Sequence, residues 1–168
     1  MHSYYTELDI EECKKSINEI VKENGFPISG IRGKVNFVKD KFYLLRTNSN
    51  YRNSFSRIFY GEFMKKENGT IIQGSFSMSA FVKVFIAIWF SGVISIGGLI
   101  FLVSFSDVFL GTSFSEGSPV LGMIIPVILL IFGILIVKLG IRISKNAEEY
   151  ILELIKRTLN AKEIETKI

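Results

Sequence analysis

The chain has 168 residues, 48% of them hydrophobic, and its 20 lysines and arginines exceed its 16 acidic side chains by four charges. The charge is segregated, +4 over residues 1–83, −2 over 84–137 and +2 over 138–168, which excludes one evenly mixed globular core and points to a membrane protein. One cysteine excludes an internal disulfide framework, one histidine leaves no metal-ligand cluster, and the mild basic excess lacks the dense stripe that nucleic acid requires.

In chain order, "SYYTEL" reads as a short strand. Asp9 is placed to cap a helix from about Ile10 to Asn24, with Gly25 as its stop. Ile10, Cys13, Ile17, Ile20 and Val21 fall on one face of that helix, so Cys13 is expected as a small buried apolar residue. No basic segment followed by an apolar run occurs in residues 1–30, so no cleaved signal peptide is expected there. "GKVNFVKDKFYLLRTN" predicts two strands around Lys39-Asp40. "SFSRIFYGEFMKKENGTIIQGSFSM" predicts a hairpin in which Asn68-Gly69 supplies the two positive-φ residues of a type I′ turn. On its second arm Thr70, Ile72, Gly74, Phe76 and Met78 share one face. Asn68-Gly69-Thr70 also fits the N-glycosylation acceptor pattern, an accidental match if this hairpin is cytoplasmic.

The alternation stops at "AFVKVFIAIWF", where a span begins. Residues 84–106 carry no charge and would be about 34 Å long as a helix; residues 117–137 would be about 31 Å. Each length matches a hydrocarbon core of roughly 30 Å. All basic residues flank the two runs, whereas the connecting "SDVFLGTSFSEGSP" holds only Asp107 and Glu116. The positive-inside tendency therefore puts the loop outside and both termini in the cytoplasm. Lys83, Trp89, Lys138 and Arg142 are the candidate interface and orientation residues. Ser91 and Ser95 have a small-xxx-small spacing that favours close helix packing, and Pro126 is expected to bend the second span.

Beyond the second span, Asn146-Ala-Glu-Glu149 resembles a capping box opening a separate helix, with Ala147, Tyr150, Ile151, Leu154, Ile155 and Leu159 along one stripe. That stripe needs the sheet and the first helix as its partner. The expected fold is a two-helix transmembrane hairpin inserted in a small cytosolic α+β domain, an antiparallel sheet with N-terminal and C-terminal amphipathic helices. Its parts are a cytosolic α+β portion (1–82), a first span (83–106), an external loop (107–118), a second span (119–141) and a returning helix (142–168). Arg52, Arg57, Lys65 and Lys66 are candidate contacts to anionic headgroups.

Residues 51–89 carry Arg52-Asn53-Ser54-Phe55, Tyr60-Gly61, Gly69-Thr70, Gly74, Phe76 and Phe81-Val82. In these pieces the chain resembles a widespread group of small two-span bacterial membrane proteins of unassigned function. The resemblance implies membrane location and architecture, and no catalytic residue. From the residues themselves, no acid–base pair, nucleophile set, phosphate loop, metal site or cofactor site can be assembled. The expected function is thus non-enzymatic: an interaction module at the plasma membrane whose partners are the lipid bilayer and a protein, or a second copy through the spans, and not nucleic acid. The alternatives are an apolar-ligand or lipid-sensing domain, motivated by the aromatic load of the sheet, and an immunity protein against a membrane-active toxin.

Overall fold

The computed structural model describes residues 1–23, 30–47, 53–112 and 117–164. These form six strands and three helices in two compact units, one comprising Met1–Ser79 and Ile141–Ile168, the other Ala80–Gly140.

The first unit is a six-stranded antiparallel sheet of β1 (His2–Thr6), β2 (Ile31–Asn36), β3 (Lys41–Arg46), β4 (Ile58–Lys66), β5 (Gly69–Ser77) and β6 (Lys162–Glu163), in spatial order β2-β3-β4-β5-β1-β6. Helix α1 (Ile10–Glu23) starts at Asp9 through a reciprocal cap. The Glu12 amide donates to Asp9 Oδ1 at 2.7 Å and the Asp9 amide donates to Glu12 Oε2 at 3.1 Å, so two otherwise orphaned donors are satisfied. The expected stop at Gly25 lies outside the described residues. Between β2 and β3 the turn is held by Asn36 Oδ1, which accepts from the amides of Val38 and Lys39 at 3.1 Å each.

The β4–β5 hairpin forms, but its turn differs from the expected type. Lys66 pairs with Gly69, which leaves Glu67 and Asn68 as the two loop residues. Among the described residues, the non-glycine residues with positive φ are Asp40 and Asn160. Neither Glu67 nor Asn68 is one of them, so the turn is not type I′. Gly69 takes the unusual angle instead, φ 150°, and a Cβ there would collide with the Thr6 carbonyl of β1. The glycine is thus read by a neighbouring strand as well as by the turn.

One sheet face is apolar and covered. Tyr4, Ile31, Leu44, Phe59 and Ile72 from the strands join Cys13 and Ile17 of α1 and Ile151, Ile155 and Leu159 from the C-terminal part of the chain in one buried cluster. Gly61 and Gly74 pair across β4 and β5 on this face, and a Cβ on either would strike the ring of Phe42 or Phe59. The two missing side chains make the floor on which those rings lie. The opposite face presents Tyr43, Tyr60 and Met64 to solvent.

The C-terminal helix packs on the core as its apolar stripe requires, but it is no separate element. α3 runs unbroken from Pro119 to Thr158, 40 residues, so Asn146 lies inside a helix rather than at its start. The helix ends in a Schellman motif: Asn160 has φ 44°, its amide reaches the Arg157 carbonyl at 3.4 Å, and the Ala161 amide reaches the Lys156 carbonyl at 2.9 Å. The reversal delivers β6, which pairs with β1 through Tyr4↔Glu163 and Tyr5↔Lys162. Lys156 and Glu163 close it with a 2.7 Å ion pair, which holds the Glu163 carboxyl below its usual range. This strand was not expected from the sequence; two residues are too short for an alternation signal.

The second unit contains α2 (Ala80–Phe109) and residues 119–140 of α3. Side-chain order fixes the pair as antiparallel: Gly133 faces Trp89 and Phe90, Gly97 faces Pro126, and Gly122 faces Ser104. A Cβ at Gly97 would stand 2.9 Å from that of Pro126, so absent side chains let the backbones approach. The small residues at the contact are therefore Gly97, Gly122, Gly133 and Ser104, while Ser91 and Ser95 are exposed. Both helices are long and apolar enough to cross a membrane.

Candidate functional site

The principal concavity of the described residues is a cleft of about 430 Å³ within the first unit, at the end of the sheet where β3 finishes and β4 begins. Arg32 and Leu45 line it from β2 and β3, and Arg46 and Thr47 from the end of β3. Asn53, Ser54 and Ser56 contribute from the segment before β4, and Ile143, Ser144, Asn146 and Ala147 from α3. Local hydrogen bonding shapes these segments. The Ser56 amide donates to the Asn53 carbonyl and the Phe55 amide to Asn53 Oδ1, both at 3.0 Å. The amide and hydroxyl of Thr47 both donate to the Gly30 carbonyl.

A polar cluster forms the wall behind the cleft. Arg57 lies 3.2 Å from a Glu148 carboxylate oxygen and also donates to the Phe76 carbonyl at 2.8 Å. The buried Ser144 hydroxyl accepts from the Arg57 amide at 3.2 Å and donates to Glu148 at 3.3 Å. Glu148 is thereby committed to Arg57 and Ser144, and no carboxylate is among the lining residues. The guanidinium of Arg46 stacks over the Tyr150 ring, 4.1 Å from its centroid, and reaches the Asn146 carbonyl only at 3.5 Å. Stacking occupies the face of the guanidinium and leaves its in-plane N–H edge for acceptors. Arg32 is exposed and has no hydrogen-bond or ion-pair partner among the described residues. Two cations and several hydroxyls without an opposing carboxylate make a cleft whose electrostatics favour an anion.

The residues singled out from the sequence are dispersed. Arg57 is the bridge from β4 to α3 just described. Lys65 and Lys66 are exposed at the hairpin tip, with Lys66 Nζ 5.0 Å above the Tyr5 ring, and Arg52 lies outside the described residues. Lys83, Trp89, Lys138 and Arg142 are all exposed on the two long helices. Antiparallel packing puts Lys83 and Lys138 towards one end of the helix pair and Asp107 towards the other. Arg32, Arg46 and Ser144 were not singled out. The β2–β3 pairing sets Arg32 opposite Leu45 and Ile31 opposite Arg46, which starts the two arginines from opposite faces of the pleat, so no strand spacing joins them, and Ser144 needs the tertiary fold.

Three buried groups elsewhere are structural. Lys14, 3% exposed, joins Asp40 at 2.6 Å, Glu11 at 2.7 Å and the Phe37 carbonyl at 2.9 Å, pinning the β2–β3 turn to α1. The hydrogen bond that its ammonium donates to Asp40 raises its pKa. Burial pushes the Cys13 thiol up to about 11, which makes it a core residue rather than a nucleophile. Tyr4 is fully buried, its hydroxyl has no hydrogen-bond partner among the described residues, and burial pushes its pKa up to about 12. Among the described residues no group of three or more His, Cys, Asp or Glu is placed to hold a metal ion.

No family model matches this chain, no curated protein sequence matches it, and no solved structure matches its fold. The resemblance over residues 51–89 therefore carries no family assignment.

Proposed function

We propose that the chain is a non-enzymatic interaction module tethered in the plasma membrane. In this reading α2 and the apolar part of α3 cross the bilayer as an antiparallel hairpin, with the 110–118 connection outside and the sheet domain in the cytoplasm. The observation that carries the reading is the bareness of the two helices. Their most apolar 18-residue windows are only 6% and 11% buried, whereas the core helix of a soluble protein would be mostly covered. Left in water, Ile88, Ile96, Leu99, Val120, Ile128 and Leu135 would each keep more than half of their surface exposed, which a bilayer removes at about 25 cal/mol per Å². Charge placement agrees, because Lys83 and Lys138 share one end of the pair and Asp107 marks the other.

Aromatic side chains give little support to an apolar-ligand alternative. Phe42, Phe59, Phe63 and Phe76 pack on one another with ring centroids 4.7–5.8 Å apart, and the cleft at the end of β3 is lined by polar groups as much as by apolar ones. The test of the membrane reading is cysteine accessibility in intact cells, in a Cys13→Ala background. Gly117→Cys should react with an impermeant thiol reagent, and Lys66→Cys should react only after permeabilisation. The reverse pattern, or release of the protein by carbonate washing, would refute the topology.

A further inference from the structure

We propose that the cleft between the end of β3 and α3 is a binding site for a phosphoryl group, supplied by the headgroup of an anionic lipid. The phosphoryl chemistry rests on the donor set alone. Among the described residues Arg32 brings a guanidinium with no hydrogen-bond or ion-pair partner, Arg46 a stacked one whose N–H edge reaches only the Asn146 carbonyl at 3.5 Å, and Ser54 and Ser56 bring hydroxyls to the same cleft. A tetrahedral phosphate oxyanion accepts several such charge-assisted bonds at once, and arginine is the side chain whose planar fork suits it. A cationic or metal-bound ligand is less well served, since no carboxylate lines the cleft to hold a cation. The volume of about 430 Å³ admits a glycerophosphate-sized headgroup but not a folded partner.

The assignment to a lipid rests on the membrane reading. Ser79 lines the cleft one residue before α2 begins, and Ile143 and Ser144 line it three and four residues beyond the last residue of the second unit, Gly140. If the two helices span a bilayer, residues this close in the chain to their ends lie near headgroup level. A lipid phosphate is then the anion at highest local concentration.

The full chain in a neutral detergent would be titrated with short-chain phosphatidylglycerol, short-chain phosphatidylcholine and inorganic phosphate, with retained lipid read by native mass spectrometry. The variants are Arg32→Gln, Arg46→Gln, the double variant, and Lys15→Gln, at an exposed position of α1, as a charge-matched control away from the cleft. Protection of the Cys13 thiol certifies that each variant is folded. Phosphatidylglycerol should bind with a stoichiometry of one. The double variant should weaken it at least tenfold, as expected for lost hydrogen bonds to a charged group, and Lys15→Gln should leave it within twofold. Equal loss in Lys15→Gln, or retention within twofold in the folded double variant, overturns the site. Competition by inorganic phosphate at equal or lower concentration would overturn the lipid assignment in favour of a soluble phosphate. Because the titration is done in detergent, it can fail while the accessibility pattern above holds, and the reverse.

Discussion

Replacing Tyr4 by phenylalanine should stabilise the sheet domain. Tyr4 is the central residue of β1, 0% exposed, and its hydroxyl finds no acceptor or donor among the described residues. A buried polar group without a partner costs about 1–3 kcal/mol, and its removal forfeits only the contacts of one oxygen atom. A net gain of about 1 kcal/mol is expected, which for a domain of this size is a rise of roughly 4 °C in the unfolding midpoint. The single buried cysteine provides the assay. Cys13 is fully buried with its thiol pushed up to about 11, so a fluorogenic maleimide reacts with it only when the domain opens, and midpoints can be compared at pH 7.5. A pH dependence follows with a definite sign. The native phenol is pushed up from the ordinary 10 to about 12, so the native state holds its proton where the unfolded chain has lost it. Stability attached to Tyr4 is complete below pH 10 and declines as pH rises towards 12. At pH 10.5 the loss is about 1 kcal/mol, so the gap between Tyr4→Phe and the parent, read there by circular dichroism, should widen by about that amount. A variant that melts lower than the parent, or a gap that narrows with pH, would show that the hydroxyl is satisfied in solution and refute the reasoning.

Ile155→Ala, at a fully buried position of α3, should cost about 2–5 kcal/mol and expose Cys13 at a correspondingly lower temperature; a loss below 1 kcal/mol would mean that the returning helix is not part of the core. Asn160→Val forces a β-branched residue into the left-handed angle of 44° and should cost roughly 1–2 kcal/mol, read by the same thiol assay, while Asn160→Gly should be neutral or stabilising.

Much of the fold was legible because its signals are local. The Asp9 cap, the alternation of β5 and the uncharged runs each lie within a short window, and each marks an element that the structure contains. The aromatic residues were legible as a group but not by side: Phe42, Phe59, Phe63 and Phe76 fill the covered face, whereas Tyr43 and Tyr60 stand on the open one. The type I′ turn was misassigned because Asn-Gly satisfies two local patterns. The approach of the Thr6 carbonyl to Gly69, which comes from a strand 60 residues away in the chain, is invisible to a window. The cleft was missed for the same reason. Its two arginines sit on neighbouring strands and its serines on a loop and a helix, so no spacing connects them.

The unbroken α3 has a thermodynamic explanation that also shows where the local reading went astray. A helix ending near Ile141 and another starting at Asn146 would leave carbonyls at one terminus and amides at the other without helical partners. It would also require a second nucleation event, whose cooperativity parameter of about 10⁻³ corresponds to roughly 4 kcal/mol. Against this, an asparagine cap recovers about 1 kcal/mol. A break therefore needs a residue that cannot be helical, and residues 141–149, "IRISKNAEE", contain neither glycine nor proline. Pro126 lies inside the helix and does not stop it either, its ring seated against Gly97. Asn146-Ala-Glu-Glu149 has the composition of a start but stands where starting again is more costly than continuing. The amphipathic stripe of Ile151, Ile155 and Leu159 is then simply the point at which one long helix exchanges an exposed apolar surface for the covered face of a sheet.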